Sequence, residues 1–166
     1  DIGLLNRIII DDVLLDDQSG KEMLKITRLS AKFDIIPLFN GKITISSVQL
    51  FGFNINLNKP APHMEPNFKF VLDAFASKDT VKTKKDIDLR INSILIRRGK
   101  LSYDVLSEEE TPGKFNPQHI KLHNIIANIS LKALQNDSIN AAIKRLSVDE
   151  QSGFELRKLS LKVIAN

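Results

Sequence analysis

One pattern of eight residues recurs along this chain and limits its fold more than any other feature. It reads apolar, any, apolar, polar, polar, apolar, any, apolar, as in the segment 8–15. Within each half the apolar residues alternate, which is typical of a strand with one apolar face. Seven segments follow the pattern: Ile8-Ile10-Val13-Leu15, Leu24-Ile26-Leu29-Ala31, Ile43-Ile45-Val48-Leu50, Leu89-Ile91-Ile94-Ile96, Ile120-Leu122-Ile125-Ala127, Ala141-Ile143-Leu146-Val148 and Phe154-Leu156-Leu159-Leu161.

The two central residues of each segment are polar, and they predict an irregularity in the strand. Two apolar residues three positions apart fall on opposite faces of a regular strand. A β-bulge at the polar pair would return both halves to one face and bend the strand. Alternatively, the strand passes from one apolar environment to another at that point. Both interpretations predict a sheet that is not flat.

The connections between these segments favour antiparallel neighbours. Turn-forming clusters such as 17–20, 135–138 and 150–153 separate successive strand patterns. We therefore predict a mainly β fold, a curved antiparallel sheet of about eight bulged strands. Residues 1–166 are expected to form a single β-rich domain, a fragment of a longer chain, with a helical insertion at about 60–85. Residues 106–117 are expected to form an exposed loop.

One segment has the period of a helix. Phe68, Val71, Leu72 and Phe75 are spaced i, i+3, i+4 and i+7, which predicts a short amphipathic helix near residues 67–77. Asn67 precedes it as a candidate N-cap. Because apolar helix faces usually pack on their own domain, we expect this docking face to cap the end of the sheet core.

No catalytic, metal or cofactor site is predicted. The chain has no cysteine, which excludes a thiolate metal site and a cysteine nucleophile. His119 and His123 fall on a predicted strand, about 13 Å apart, which is too far for shared ligation. A formal net charge of +4 with one Tyr and no Trp does not favour nucleic-acid binding. We therefore expect a protein that is not an enzyme.

The first 75 residues resemble the start of AsmA/TamB-like envelope proteins, in the form found in Bacteroidota. The likeness lies in the run from Ile2 to Asp17, which contains a strand ending in acidic residues, in a second strand from Leu24 and in two short motifs. These are Ile36-Pro37-Leu38-Phe39-Asn40-Gly41 and Ile43-Thr44-Ile45-Ser46-Ser47-Val48-Gln49-Leu50-Phe51-Gly52. A short helix of the kind at 68–75 often follows in such proteins, and the repeated strand pattern extends the likeness to residue 161.

The resemblance implies a chorein-type groove, in which repeated β elements curl around an apolar interior. Such proteins are thought to carry phospholipid between inner and outer membranes, or to support outer-membrane protein assembly. The implied location is the periplasm, with an inner-membrane anchor outside this fragment. The implied partners are phospholipid acyl chains, the remainder of the chain and, for the full-length protein, an outer-membrane assembly protein.

Combining the pattern with the resemblance gives one hypothesis for a site. The apolar members of the motifs would line a groove wide enough for acyl chains. The alternative is a structural or interaction module, whose apolar face is a closed core and whose edges pair with the rest of the chain. The candidate lining residues are Ile8, Ile10, Leu24, Ile26, Ile43, Ile45, Val48, Leu50, Leu89, Ile91, Ile94, Ile96, Leu122, Ile125, Ile143, Leu146, Leu156 and Leu159.

Overall fold

Extended strands make up most of the chain in its computed structural model, which describes residues 2–3, 6–39, 44–76, 90–135 and 138–165. Two short helices interrupt them. The elements are β1 (Ile2–Gly3), β2 (Arg7–Asp16), β3 (Glu22–Asp34), α1 (Ile35–Leu38), β4 (Thr44–Lys59), α2 (Lys69–Ala76), β5 (Arg90–Ile91), β6 (Ser93–Val105), β7 (His119–Gln135), β8 (Ser138–Glu150) and β9 (Glu155–Ala165).

All of the described strands belong to one curved sheet that does not close into a barrel. Its order is β1-β2-β3-β4-β6-β7-β8-β9, and β5 pairs with the start of β4. The predicted mainly β, curved sheet is thus confirmed. The sheet has nine described strands instead of about eight, because β1 and β5 are two-residue strands, too short to show a period.

The prediction of a wholly antiparallel sheet was wrong at one place. β4 pairs in parallel with both β5 and β6, whereas the other strand pairs are antiparallel. A parallel neighbour requires a long connection that returns the chain to the end from which the first strand started. The segment 60–89, which contains α2, makes this connection. The helical insertion therefore coincides with the one change from antiparallel to parallel pairing among the described strands.

A line of left-handed residues crosses the middle of the sheet. Asp12 in β2, Gly52 in β4, Arg98 in β6 and Asn124 in β7 have φ angles of 55°, 65°, 56° and 53°. Cross-strand pairs place Thr27 of β3 between Asp12 and Gly52 on the same line. We call this row the kink line. It coincides with predicted polar pairs in β2, β3 and β7.

The kink line differs from a simple bulge in the first three long strands. The pairing register of β2 with β3, and that of β3 with β4, is the same on both sides of the kink line, so none of these three strands carries an inserted residue there. Inserted residues occur elsewhere, because the register shifts between Lys32 and Phe33 opposite Ser46, and between Ile143 and Leu146. The polar pairs therefore mark two kinds of irregularity.

The sheet buries little of its surface. The chain exposes 12045 Å², against about 8,300 Å² expected for a compact protein of this mass. Among the described residues, no side chain is less than 2% exposed. The buried apolar residues are Met23, Ile26, Phe53, Val105 and Ala127. One layer of sheet therefore carries most of the apolar side chains without a second layer over it in the described part of the chain.

The helix α2 lies within the predicted range but begins at Lys69. Asn67 is not its N-cap, because the side-chain oxygen of Asn67 accepts a hydrogen bond from the Asn58 N–H at 2.9 Å. The side-chain amide of Asn67 also donates to the Asn56 carbonyl, so this residue ties the start of α2 to β4. On the predicted docking face, Phe68 and Val71 are half-buried, Leu72 is 52% exposed, and the side chain of Phe75 lies outside the described residues.

Candidate functional site: the apolar face of the sheet

Two straight rows of apolar residues cross seven strands on one side of the kink line. Each row takes one residue from β2, β3, β4, β6, β7, β8 and β9, joined by direct cross-strand pairs. At about 4.8 Å per strand, each row spans about 29 Å. The rows are Ile10-Leu29-Leu50-Ile96-Ala127-Leu146-Leu159 and Ile8-Ala31-Val48-Ile94-Ile129-Ile143-Leu161.

A third, shorter row continues this surface toward the far end of β4. Phe33 pairs with Ile45, and Ile45 pairs with Ile91 of β5. The register shift near Ser46 brings Ile45 into line with Val48, although three positions separate them. We call the three rows together the upper block.

A second apolar surface lies on the other side of the kink line. Here Val13 pairs with Ile26, Ile26 with Phe53, and Leu24 with Ile55. The surface continues across β6, β7, β8 and β9. We call this surface the lower block. Besides the residues just named, it contains Leu15, Leu57, Leu101, Tyr103, Ile120, Leu122, Ile125, Val148 and Leu156.

The structure distributes the candidate lining residues between these two blocks. Ile43 and Leu89 lie outside the described residues. Five lie in the lower block: Leu24, Ile26, Leu122, Ile125 and Leu156. Eleven lie in the upper block: Ile8, Ile10, Ile45, Val48, Leu50, Ile91, Ile94, Ile96, Ile143, Leu146 and Leu159.

Exposure within the upper block increases toward the two ends of its rows. Ile8 and Ile10 in β2 are 44% and 47% exposed, and Leu161 in β9 is 49% exposed. Residues of the central strands, such as Val48 and Ile94, are half-buried. Neighbouring side chains on both sides shield the central ones, whereas the outer strands have fewer neighbours. The block is therefore an accessible apolar surface whose side chains are most shielded on the central strands.

Sequence reasoning missed the part of β4 that follows Leu50. Val48, Leu50, Phe53 and Ile55 repeat the apolar spacing, but the central pair is Phe51-Gly52, which is not polar. In β6 the polar pair Arg97-Arg98 is present, but Gly99 stands where the pattern requires an apolar residue. A template that accepts glycine in place of an apolar residue would have found the kink line in β6, and one that also accepts Phe-Gly as the central pair would have found it in β4.

One cluster of ionisable side chains has the composition of a metal site. Ligand atoms of Asp104, Glu110 and His119 lie within 4.8 Å of one another. However, Nδ1 of His119 is 2.9 Å from the Asp104 carboxylate, and Nε2 is 3.0 Å from the Glu108 carbonyl. The Glu110 carboxylate is occupied by the Lys121 ammonium at 3.0 Å. Each group already has a partner within the protein, which favours a structural role.

The electrostatics of this cluster agree with a structural role. The hydrogen bond to the Asp104 carboxylate raises the pKa of His119, which stabilises an imidazolium that donates from both ring nitrogens. The hydrogen bond from Lys121 lowers the pKa of Glu110. A protonated histidine has no lone pair for a metal. The cluster joins the loop 106–118 to the ends of β6 and β7.

Comparisons of the chain with protein-family models, curated protein sequences and solved structures find no match. In the part of the chain that the structure describes, no helix is both long and apolar enough to cross a bilayer.

Proposed function

We propose that the upper block holds the acyl chains of phospholipid, as one segment of a lipid-carrying groove. The observation that carries this proposal is the pair of seven-residue apolar rows, which cross the sheet without an interrupting charge. An acyl chain is long, apolar and narrow, and such a surface fits it without any directional contact.

The energetics set a condition on this binding. Each methylene removed from water contributes about 0.8 kcal/mol, so ten contribute about 8 kcal/mol. Immobilising a ligand costs a comparable amount, about 4–15 kcal/mol. An acyl chain must therefore bury most of its length, and a row of about 29 Å offers enough surface for that.

The resemblance to AsmA/TamB-like proteins supports the same function and extends it. Under this proposal the chain acts in the periplasm as part of a protein anchored in the inner membrane. Its non-enzymatic task is phospholipid transport between the two membranes, or support of outer-membrane protein assembly with a partner there. The remainder of the chain would continue the groove from the edges of the sheet.

The first experiment is extraction of the purified protein into organic solvent, followed by mass spectrometry of the extract. We expect phospholipid in near-stoichiometric amounts. Ile129→Asp places a charge within the second row of the upper block, on the strand next to its middle strand β6, and we expect it to reduce the bound lipid strongly. Ser130→Asp is the matched control, because Ser130 is the next residue of β7 and points to the opposite face.

A charged substitution on an apolar face can also unfold the sheet, so a second variant is needed. Ala31→Phe fills space at the second position of one row and keeps that row apolar. It should lower the amount of bound lipid while circular dichroism and the melting temperature stay close to those of the parent. Lipid-free protein, or lipid content that is unchanged in both variants, would refute the proposal. In that case a dimer seen by light scattering would support the alternative of an interaction module with a closed core.

A further inference from the structure

The face of the sheet opposite the upper block carries two adjoining cavities. Their volumes are about 460 and 490 Å³. Phe51, Leu95 and Arg97 line both of them, so the two cavities form one cleft with Phe51 and Leu95 at its centre. We call it the arginine cleft. Its size is in the range of sites that bind small molecules.

The strand register explains how the cleft acquires its charge. Arg28 of β3 pairs with Phe51 of β4, and Phe51 pairs with Arg97 of β6. In the next row, Leu95 pairs with Asn128, which pairs with Arg145 of β8. Arg28, Arg97 and Arg145 therefore stand on alternate strands, with backbones about 10 Å apart for Arg28 and Arg97, and about 12 Å apart for Arg97 and Arg145, which lie in adjacent rows. The guanidinium groups follow the cleft from one end to the other.

The arginines differ in how their charge is balanced. Arg28 is paired with Asp11 at 2.6 Å, and the guanidinium of Arg98 lies over the ring of Phe51 at 5.2 Å. Among the described residues, no ion pair includes Arg97 or Arg145. Both are exposed and line the same cavity. This end of the cleft thus holds uncompensated positive charge.

The centre of the cleft is apolar. Phe51 is 39% exposed, although it stands in the middle of the sheet, and Leu95 is half-buried. A ligand that satisfies the whole cleft therefore carries an anionic group and an apolar or aromatic group within a few ångströms of each other. Guanidinium groups bind phosphate through two parallel hydrogen bonds.

We infer that the arginine cleft binds an organic phosphate, with the phosphate between Arg97 and Arg145 and the apolar part of the ligand on Phe51 and Leu95. Two sources share this chemistry, a soluble phosphate ester and the headgroup region of an anionic phospholipid. The arginines and Phe51 of the cleft alternate along the strands with the first row of the upper block and so point to the opposite face, although Leu50, Ile96 and Ala127 of that row also line the cavities.

The test uses phenyl phosphate as a soluble probe, inorganic phosphate as its counterpart without an apolar group, and phosphatidylcholine vesicles with or without phosphatidic acid. Isothermal titration or chemical-shift perturbation measures the two soluble probes. We expect Arg97→Gln and Arg145→Gln each to weaken phenyl phosphate binding about tenfold, the loss of one charged hydrogen bond. Phe51→Ala should weaken binding of phenyl phosphate but not of inorganic phosphate.

Lys114→Gln in the exposed loop 106–118 is the matched control, because it removes one positive charge far along the chain from the cleft. Binding that decreases equally in Lys114→Gln and in the arginine variants would indicate general attraction of anions and overturn the inference. So would no binding of phenyl phosphate together with no preference for vesicles that contain phosphatidic acid.

The vesicle measurement separates the two sources of phosphate. Binding to phosphatidic acid vesicles that depends on Arg97 and Arg145, without measurable phenyl phosphate binding, supports a lipid headgroup. The converse supports a soluble ester. Bound lipid and phenyl phosphate binding are measured separately on the parent protein, so failure of the groove proposal and failure of this one are distinguishable.

Discussion

At the scale of single residues, the clearest specific interaction is the one that fixes the loop 106–118. The side chain of His119 is buried between Asp104 and the carbonyl of Glu108. Both of its ring nitrogens are within hydrogen-bond distance of an acceptor, which favours the doubly protonated form. A sheet with so few buried side chains depends on such contacts to hold its loops.

This cluster predicts a pH dependence of stability. Because the Asp104 carboxylate raises the pKa of His119, the folded protein binds this proton more tightly than the unfolded chain. The stabilisation is complete below the unfolded pKa of about 6.5 and is lost as the pH rises through the higher folded value. Urea unfolding measured at about pH 6 to pH 9, which brackets the titration of His119, should show that the free energy of unfolding falls as the pH rises.

Asp104→Asn provides the comparison for that measurement. We expect the pKa of His119, followed by its ring-proton chemical shifts, to fall toward about 6.5. The pH dependence of unfolding should flatten over the same range. An unchanged His119 titration in this variant would show that Asp104 is not the source of the shift.

At the scale of elements, the kink line depends on close contacts between neighbouring strands. A Cβ at Gly52 would lie 2.7 Å from Oγ1 of Thr27, and a Cβ at Gly99 would clash with Cζ of Phe53. Phe53 of β4 thus occupies the space that a side chain at Gly99 of β6 would need. The break in the apolar pattern at Gly99 has a steric cause, because Phe53 supplies the apolar group for both positions.

Gly99→Ala tests this account of the β4–β6 pair. The added methyl group must displace the ring of Phe53, which is buried, and overpacking of this kind costs about 1–3 kcal/mol. Chemical denaturation should show that loss. In a Phe53→Leu background the same substitution should cost much less, as a double-mutant cycle would measure. Equal costs in both backgrounds would argue against the contact.

Some of the elements could be predicted from the sequence, and others could not. The polar pairs Asp11-Asp12 and His123-Asn124 contain residues that tolerate a left-handed backbone, and both lie on the kink line. The parallel pairing of β4 with β6 could not be predicted, because strand period carries no information about direction. The N-cap assignment of Asn67 failed because β4 offers its backbone groups as competing partners.

At the scale of the whole molecule, the chain forms a single curved layer with an apolar surface on one side and arginines on the other. A domain with a closed core gains about 12–15 cal/mol/K per residue in heat capacity on unfolding, which is about 2.0–2.5 kcal/mol/K for a chain of this length. Most of that change comes from apolar surface that the folded protein buries.

The open sheet should therefore unfold with a smaller heat-capacity change. Differential scanning calorimetry of delipidated, monomeric protein should give a value clearly below about 2.0 kcal/mol/K. Addition of phospholipid should raise both this value and the melting temperature, because a ligand that binds only the folded state stabilises it. A value in the normal range without lipid would mean that another surface covers the upper block.

The sequence by itself determined the strands, the places where most of them kink, and the absence of cysteine chemistry. It did so because alternation, polar pairs and turn residues are local signals. Only the tertiary structure decided that Leu50 and Leu159 stand in one straight row, and that Arg28, Arg97 and Arg145 follow one cleft. Register and strand order bring these residues together from distant parts of the chain, and no local pattern specifies either.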